Sequence, residues 1–85
     1  MRMQTRCELR DCLSDCMLKT RNELSLSQME FAEGLHMDRR SYLDLEHGKN
    51  LCCSMTLLLF LVYYCKDPMG LLNKCKEIFD KYGYK

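Results

Sequence analysis

The chain has 85 residues and a mass of 10.1 kDa, which is room for one small domain, residues 1–85, and no second. Hydrophobic residues at 47%, with one Pro and four Gly, exclude a disordered or low-complexity chain, and the short length disfavours an enzyme with a deep private pocket. Thirteen Lys and Arg against twelve Asp and Glu leave a net charge of +1, so bulk charge directs the chain neither to nucleic acid nor to an anionic membrane.

From about Gln4 to Glu23, apolar residues fall at Leu9, Cys12, Leu13, Cys16 and Met17, with Leu24 just beyond. That three-and-four spacing predicts a long amphipathic helix with Glu8, Asp11, Asp15 and Lys19 on its far side. Ser27 followed by Glu30 is a capping box, in which hydroxyl and carboxylate satisfy free N–H groups at a helix start. The second helix is short, because Gly34 follows within two turns and Asp38 is a fresh acidic N-cap. A third helix runs from there to about His47, where Gly48 supplies the left-handed conformation that closes a helix. Ser54 can cap a fourth, apolar helix ending near Lys66 and Asp67. Pro68 suits the first turn of a fifth, along which Met69, Leu72, Cys75, Ile78, Phe79 and Tyr82 form a stripe. Nothing reads as a strand, so the expected class is all-α with five helices.

The segment from Asn50 to Cys65 carries no charge but is too short to span a bilayer, which takes ~20 predominantly apolar residues. A buried central helix is the expectation there. Seven cysteines are an odd count, and the N-terminal segment alternates charge and hydrophobe with no secretory signal core. Reduced thiols in a cytoplasmic protein are therefore expected. There is no C-x-x-C and no closely spaced His pair, so no metal or other cofactor is expected. The polar candidates His36, His47, Asp44 and Glu46 have neither a phosphate loop nor a nucleophile elbow beside them, which argues against an enzyme.

Two short helices joined by a few residues and flanked by others have the geometry of a helix-turn-helix, here about residues 27–47. Phe31, Leu35, Met37, Tyr42 and Leu45 would face inward, with Ala32 allowing close approach. Arg39, Arg40, Leu43, Asp44 and His47 are left outward on the third helix. Leu26-Ser27-Gln28, Phe31-Ala32, Leu35, Tyr42, Leu45-Glu46 and Gly48-Lys49, continuing through Cys53 and Thr56-Leu57-Leu58, resemble the Cro/repressor-type (XRE) helix-turn-helix family. The likeness runs from about Met17 to Val62.

The resemblance implies a lambda-repressor-like DNA-binding domain of bacterial or phage type, with the third helix in the major groove. Arg39 and Arg40 then stand at base-reading positions, where a guanidinium can donate twice to guanine. Gln28, Ser41 and Lys49 would meet the phosphate backbone, which sets register, while Asp44 could accept from a cytosine amino group. The resemblance also implies an ion pair between Arg21 and Glu46. His36 stands at a turn position where Gly is usual, and Leu43 and Asp44 where polar or basic residues commonly face DNA.

From Ser27 to Lys49 three bases face five acids, a net charge of −2, so one copy neutralises few phosphates. A symmetric homodimer reading two half-sites is therefore expected. Its predicted surface is the fifth helix, about residues 68–82, with the end of the fourth, through Tyr63, Tyr64, Leu71, Phe79, Tyr82 and Tyr84. A first-helix surface through Met1, Met3 and Cys7 is the second choice. The same acidity keeps another reading open: a protein-interaction module, antitoxin or adaptor on this scaffold with little DNA affinity and a protein partner.

Overall fold

The computed structural model describes residues 3–84, which form five α-helices and no strand: α1 (Met3–Glu23), α2 (Gln28–Gly34), α3 (Arg39–Glu46), α4 (Ser54–Tyr63) and α5 (Pro68–Lys81). α1 packs against α5 and α3, and α2 packs on α3.

Local chemistry sets the helix ends. Ser27 caps α2 with both arms of the capping box: Glu30 N–H donates to its hydroxyl at 3.0 Å, and Ser27 N–H donates to the Glu30 carboxylate at 2.9 Å. Asp38 caps α3 through Ser41 N–H at 3.1 Å. Four helices close by the same paired backbone bonds, the residue after the C-cap donating three residues back and its successor five back. That closure needs a left-handed residue, supplied by Gly48 and Gly83 but also by Ser25 and His36, both at φ 57°. A side chain in that conformation costs ~1–2 kcal/mol, which His36 meets in the tight connection between α2 and α3.

Several boundaries and burial patterns differ from the sequence reading. α4 ends at Tyr63, not near Lys66: Tyr64 is the C-cap, and Cys65 N–H turns back to the Phe60 carbonyl at 2.9 Å. Asp67 instead caps α5, accepting from Gly70 N–H at 3.0 Å. The N-cap of α4 is Cys53, with Ser54 already helical. The apolar faces also shift: Leu24 is exposed, and on α5 it is Leu71 that is buried while Met69 and Leu72 are exposed.

Phe31 is the centre of the core. Fully buried, its ring meets Tyr42, Phe60 and Tyr64 edge to face at centroid distances of 5.4, 6.2 and 5.0 Å. Met17, Ala32, Leu35, Leu45 and Leu71 complete the buried cluster, with Met37 half-buried against it. α4 is not the buried central helix its composition suggests. Only Thr56 and Phe60 are buried on it, and the opposite side carries exposed Met55, Leu58 and Val62.

Candidate functional site

α3 has two unlike sides. Tyr42, Leu45 and Glu46 are buried, whereas Arg39, Arg40, Ser41 and His47 are exposed. Neither Arg39 nor Arg40 makes an ion pair or side-chain hydrogen bond with any described residue. Asp44, one turn beyond Arg40, is half-buried and not in salt-bridge range of it. Two guanidinium groups therefore project from the first turn of a helix whose other side is fixed in the core.

Glu46 carries that fixation. Arg21 of α1 grips its carboxylate in a two-pronged pair, Nε to Oε2 at 2.9 Å and Nη2 to Oε1 at 3.0 Å, and its third arm donates to the Leu26 carbonyl at 3.0 Å. The pair is well covered, with side-chain exposures of 15% for Arg21 and 5% for Glu46. Gln28 joins it, its amide donating to Glu46 Oε1 at 3.2 Å. The Tyr42 hydroxyl, buried beside the pair, makes no hydrogen bond of standard geometry but lies close enough to act on the same carboxylate. Burial pushes Glu46 up, and the hydrogen bonds from Arg21 and Gln28, with the Tyr42 hydroxyl close by, outweigh it, so the carboxyl titrates below its ordinary value. Burial and the neighbouring carboxylate push the Tyr42 phenol up.

The remaining predicted contacts are placed as follows. Gln28 is half-buried at the start of α2, and one amide N–H engaged with Glu46 leaves the other N–H and the oxygen available. The Ser41 hydroxyl donates to Asp38 at 2.7 Å, so its proton serves the α3 cap. The Lys49 side chain is exposed after the Gly48 closure, and its backbone carbonyl accepts from Arg10 of α1 at 3.3 Å. Sequence reasoning missed Arg10, which ties α1 to the loop after α3 while its other terminal nitrogen donates to Cys7 Sγ at 2.9 Å. No local pattern signals a contact across 39 positions. It also missed the α1–α5 clasp, in which Glu8 accepts from Lys81 at 3.0 Å and from the Tyr82 hydroxyl.

Of the residues expected at a dimer surface, Leu71 is core, Tyr64 packs on Phe31, Tyr82 is bonded to Glu8, and Phe79 meets the Tyr84 ring. Tyr63 is 74% exposed. On α1, Met3 is exposed and Cys7 half-buried, while Met1 lies outside the described residues.

All seven cysteines are free thiols. Burial, aided by Cys65, pushes Cys16 up to about 11, and burial with Cys12 pushes Cys75 up to about 11. Burial likewise raises Cys52, whereas a hydrogen bond with Thr56 lowers the exposed Cys53. A cavity of about 390 Å³ between α1 and the start of α5 is lined by Cys12, Cys16 and Cys65 among others, and by no residue of α2 or α3. Since the thiolate is the reacting form, timed alkylation at pH 8 with peptide mapping should modify Cys53 first, and Cys16 and Cys75 last. Their rates should climb as pH approaches 11. Equal rates at all seven would contradict this order.

Among the described residues no helix is long and apolar enough to cross a membrane, and no three His, Cys, Asp or Glu side chains converge as metal ligands would. Compared with protein-family models, with curated proteins and with solved structures, the chain matches none.

Proposed function

We propose that the chain is a small cytoplasmic transcriptional regulator that binds specific sequences in double-stranded DNA as a symmetric dimer. On this reading α2 and α3 are a helix-turn-helix of the Cro/repressor type in a lambda-repressor-like domain, and α3 enters the major groove. The observation that carries it is the pair of exposed guanidinium groups, Arg39 and Arg40, on the first turn of α3, neither of which has a partner among the described residues. That is where this docking geometry puts base-reading side chains. Gln28, through its spare amide N–H, and Lys49 hold the phosphates on either side; Ser41 plays the lesser part, its hydroxyl proton being engaged by Asp38. Asp44 is the group that would accept from a cytosine amino donor.

The second reading, a protein-binding module or adaptor with little DNA affinity, is favoured by the net −2 charge of residues 27–49. The two readings separate in one titration. Wild type should bind its preferred duplex in ~50 mM salt, with affinity falling as salt rises. Arg39→Ala with Arg40→Ala should weaken binding at least ~30-fold, since each bidentate base contact contributes ~1–3 kcal/mol, while the circular dichroism spectrum stays unchanged. Equal binding by wild type and the double variant favours the adaptor.

A further inference from the structure

Residues 27–49 carry a net charge of −2, so cations that meet the DNA backbone beside α3 have to come in part from outside that segment. α1 brings one to the far end of α3. Arg10 Nη1 donates to the Lys49 carbonyl at 3.3 Å and Nη2 to Cys7 Sγ at 2.9 Å, while its Nε is buried and has no hydrogen-bond acceptor among the described residues. No carboxylate of the described residues lies in salt-bridge range of this guanidinium. As a mere fastening for the loop the arrangement is costly, because a half-buried cation is partly stripped of water and no opposite charge offsets the loss. An anion arriving from outside supplies that offset. We propose that Arg10 is a backbone-phosphate contact of the DNA complex, standing beside Lys49 at the end of α3 opposite Arg39 and Arg40. The inference rests on the DNA-binding part of the reading above and not on its dimeric part.

Length and placement select the phosphate. α3 has eight residues and is therefore ~12 Å long, about the width of the major groove. With its first turn over the base edges, its other end stands against the wall of the groove, which is phosphate. The Lys49 side chain is exposed at that end. Arg10 keeps one further N–H on each terminal nitrogen, so it can donate to a phosphate oxygen without releasing the Lys49 carbonyl. α1 also sets the height of the loop, since a Cβ at Gly48 would stand 3.5 Å from Asp11 Oδ1 and 3.7 Å from Ser14 Oγ. Asp11 is the acid of this corner; it is exposed and in salt-bridge range of neither Arg10 nor Lys49. No base is read here, so the contact adds affinity and fixes the register of α3 without altering sequence preference.

Salt titration of a duplex that wild type enriches from a random pool tests the contact. Arg10→Gln, which removes the charge but keeps a donor for the Lys49 carbonyl, should lower the slope of log affinity against log salt by about 0.9, the loss of one phosphate contact. Arg10→Lys, which keeps the charge, should retain most of the wild-type slope. Both are good helix formers in the middle of α1, and circular dichroism should be unchanged. Arg6→Gln removes an exposed cation one turn earlier on α1 and should change the slope by less than about 0.3. Ethylation of single phosphates on the same duplex should mark one whose modification weakens wild type and no longer weakens Arg10→Gln. An Arg10→Gln protein with the wild-type slope and ethylation pattern overturns the contact and leaves the DNA-binding reading standing, as does an equal loss in Arg6→Gln or Arg10→Lys. A wild type that enriches no duplex and shows no salt-dependent binding overturns the contact and that reading together.

Discussion

Arg21→Met should lower the unfolding free energy by ~2–4 kcal/mol, discounted from the ~3–5 kcal/mol of a fully buried broken pair because the Arg21 side chain keeps 15% exposure. The substitution strands a carboxylate that is only 5% exposed, with Gln28 and Tyr42 as its remaining neighbours. Glu46→Gln should cost less, because Arg21 keeps the Leu26 carbonyl and can turn toward water. The double variant should cost less than the sum of the two singles, the mark of a direct interaction. The pH dependence separates them further. Folded Glu46 titrates below its ordinary 4.5, so the folded state binds its proton less readily than the unfolded chain does. Its contribution is full above pH 4.5 and is lost as pH falls through the folded value. Urea unfolding between pH 3 and 7 should show a loss of stability on acidification in wild type and a smaller one in Glu46→Gln, the remainder coming from Glu8, Glu30 and Asp38, which are also held below their ordinary values. In Arg21→Met, burial acts with less opposition, so the carboxyl moves up and the acid loss shrinks. An unchanged acid profile in either variant would contradict the pairing.

Phe31→Ala should be at least as damaging. Filling such a site with Ala removes contacts and leaves a void at a cost of ~3–5 kcal/mol, and here the lost ring also faces three aromatic partners. A chain of this size has a total stability of roughly 4–13 kcal/mol, so between about a quarter and all of the margin goes. Thermal unfolding should shift down by more than ~10 °C, or the variant should be unfolded at 25 °C. Phe31→Leu, which keeps most of the volume, should lie between the two. A loss under ~1 kcal/mol in Phe31→Ala would mean that α2, α3 and α4 do not meet on this ring.

What could be read from the chain was what is written locally. Ser27 with Glu30, Asp38, Gly48 and Pro68 each act within a turn, and each marks a helix end at or within two residues of where it lies. Phe31, Ala32, Leu35, Tyr42 and Leu45 were legible because two short helices with few apolar positions have only one way to bury them. The failures are cases where composition says "apolar" but not "against what". α4 is apolar on every side, so periodicity could not show that Phe60 turns inward and Leu58 outward. α5 has Met69, Leu71 and Leu72 together, and the phase that buries Leu71 follows from how α1 packs against α5. The Arg10 and Glu8 clasps depend on the same long-range geometry.

At the proposed site, the inward half was easier to read than the outward half for a related reason. Tyr42, Leu45 and Glu46 have partners that restrict them, and Arg21 meets Glu46 in the described chain. Arg39 and Arg40 have no partner among the described residues, which is what a group kept for an external ligand and an idle surface group have in common. Function at those positions is a property of the complex.

Repeated selection of duplexes from a random pool, by wild type and by the Arg39→Ala, Arg40→Ala variant at low salt, tests the central claim most directly. Wild type should enrich a two-fold symmetric motif with guanines in each half-site, the half-sites about one helical turn or ~34 Å apart, and the variant should enrich none. No enriched motif with wild type, or the same motif with the variant, would contradict base reading by α3.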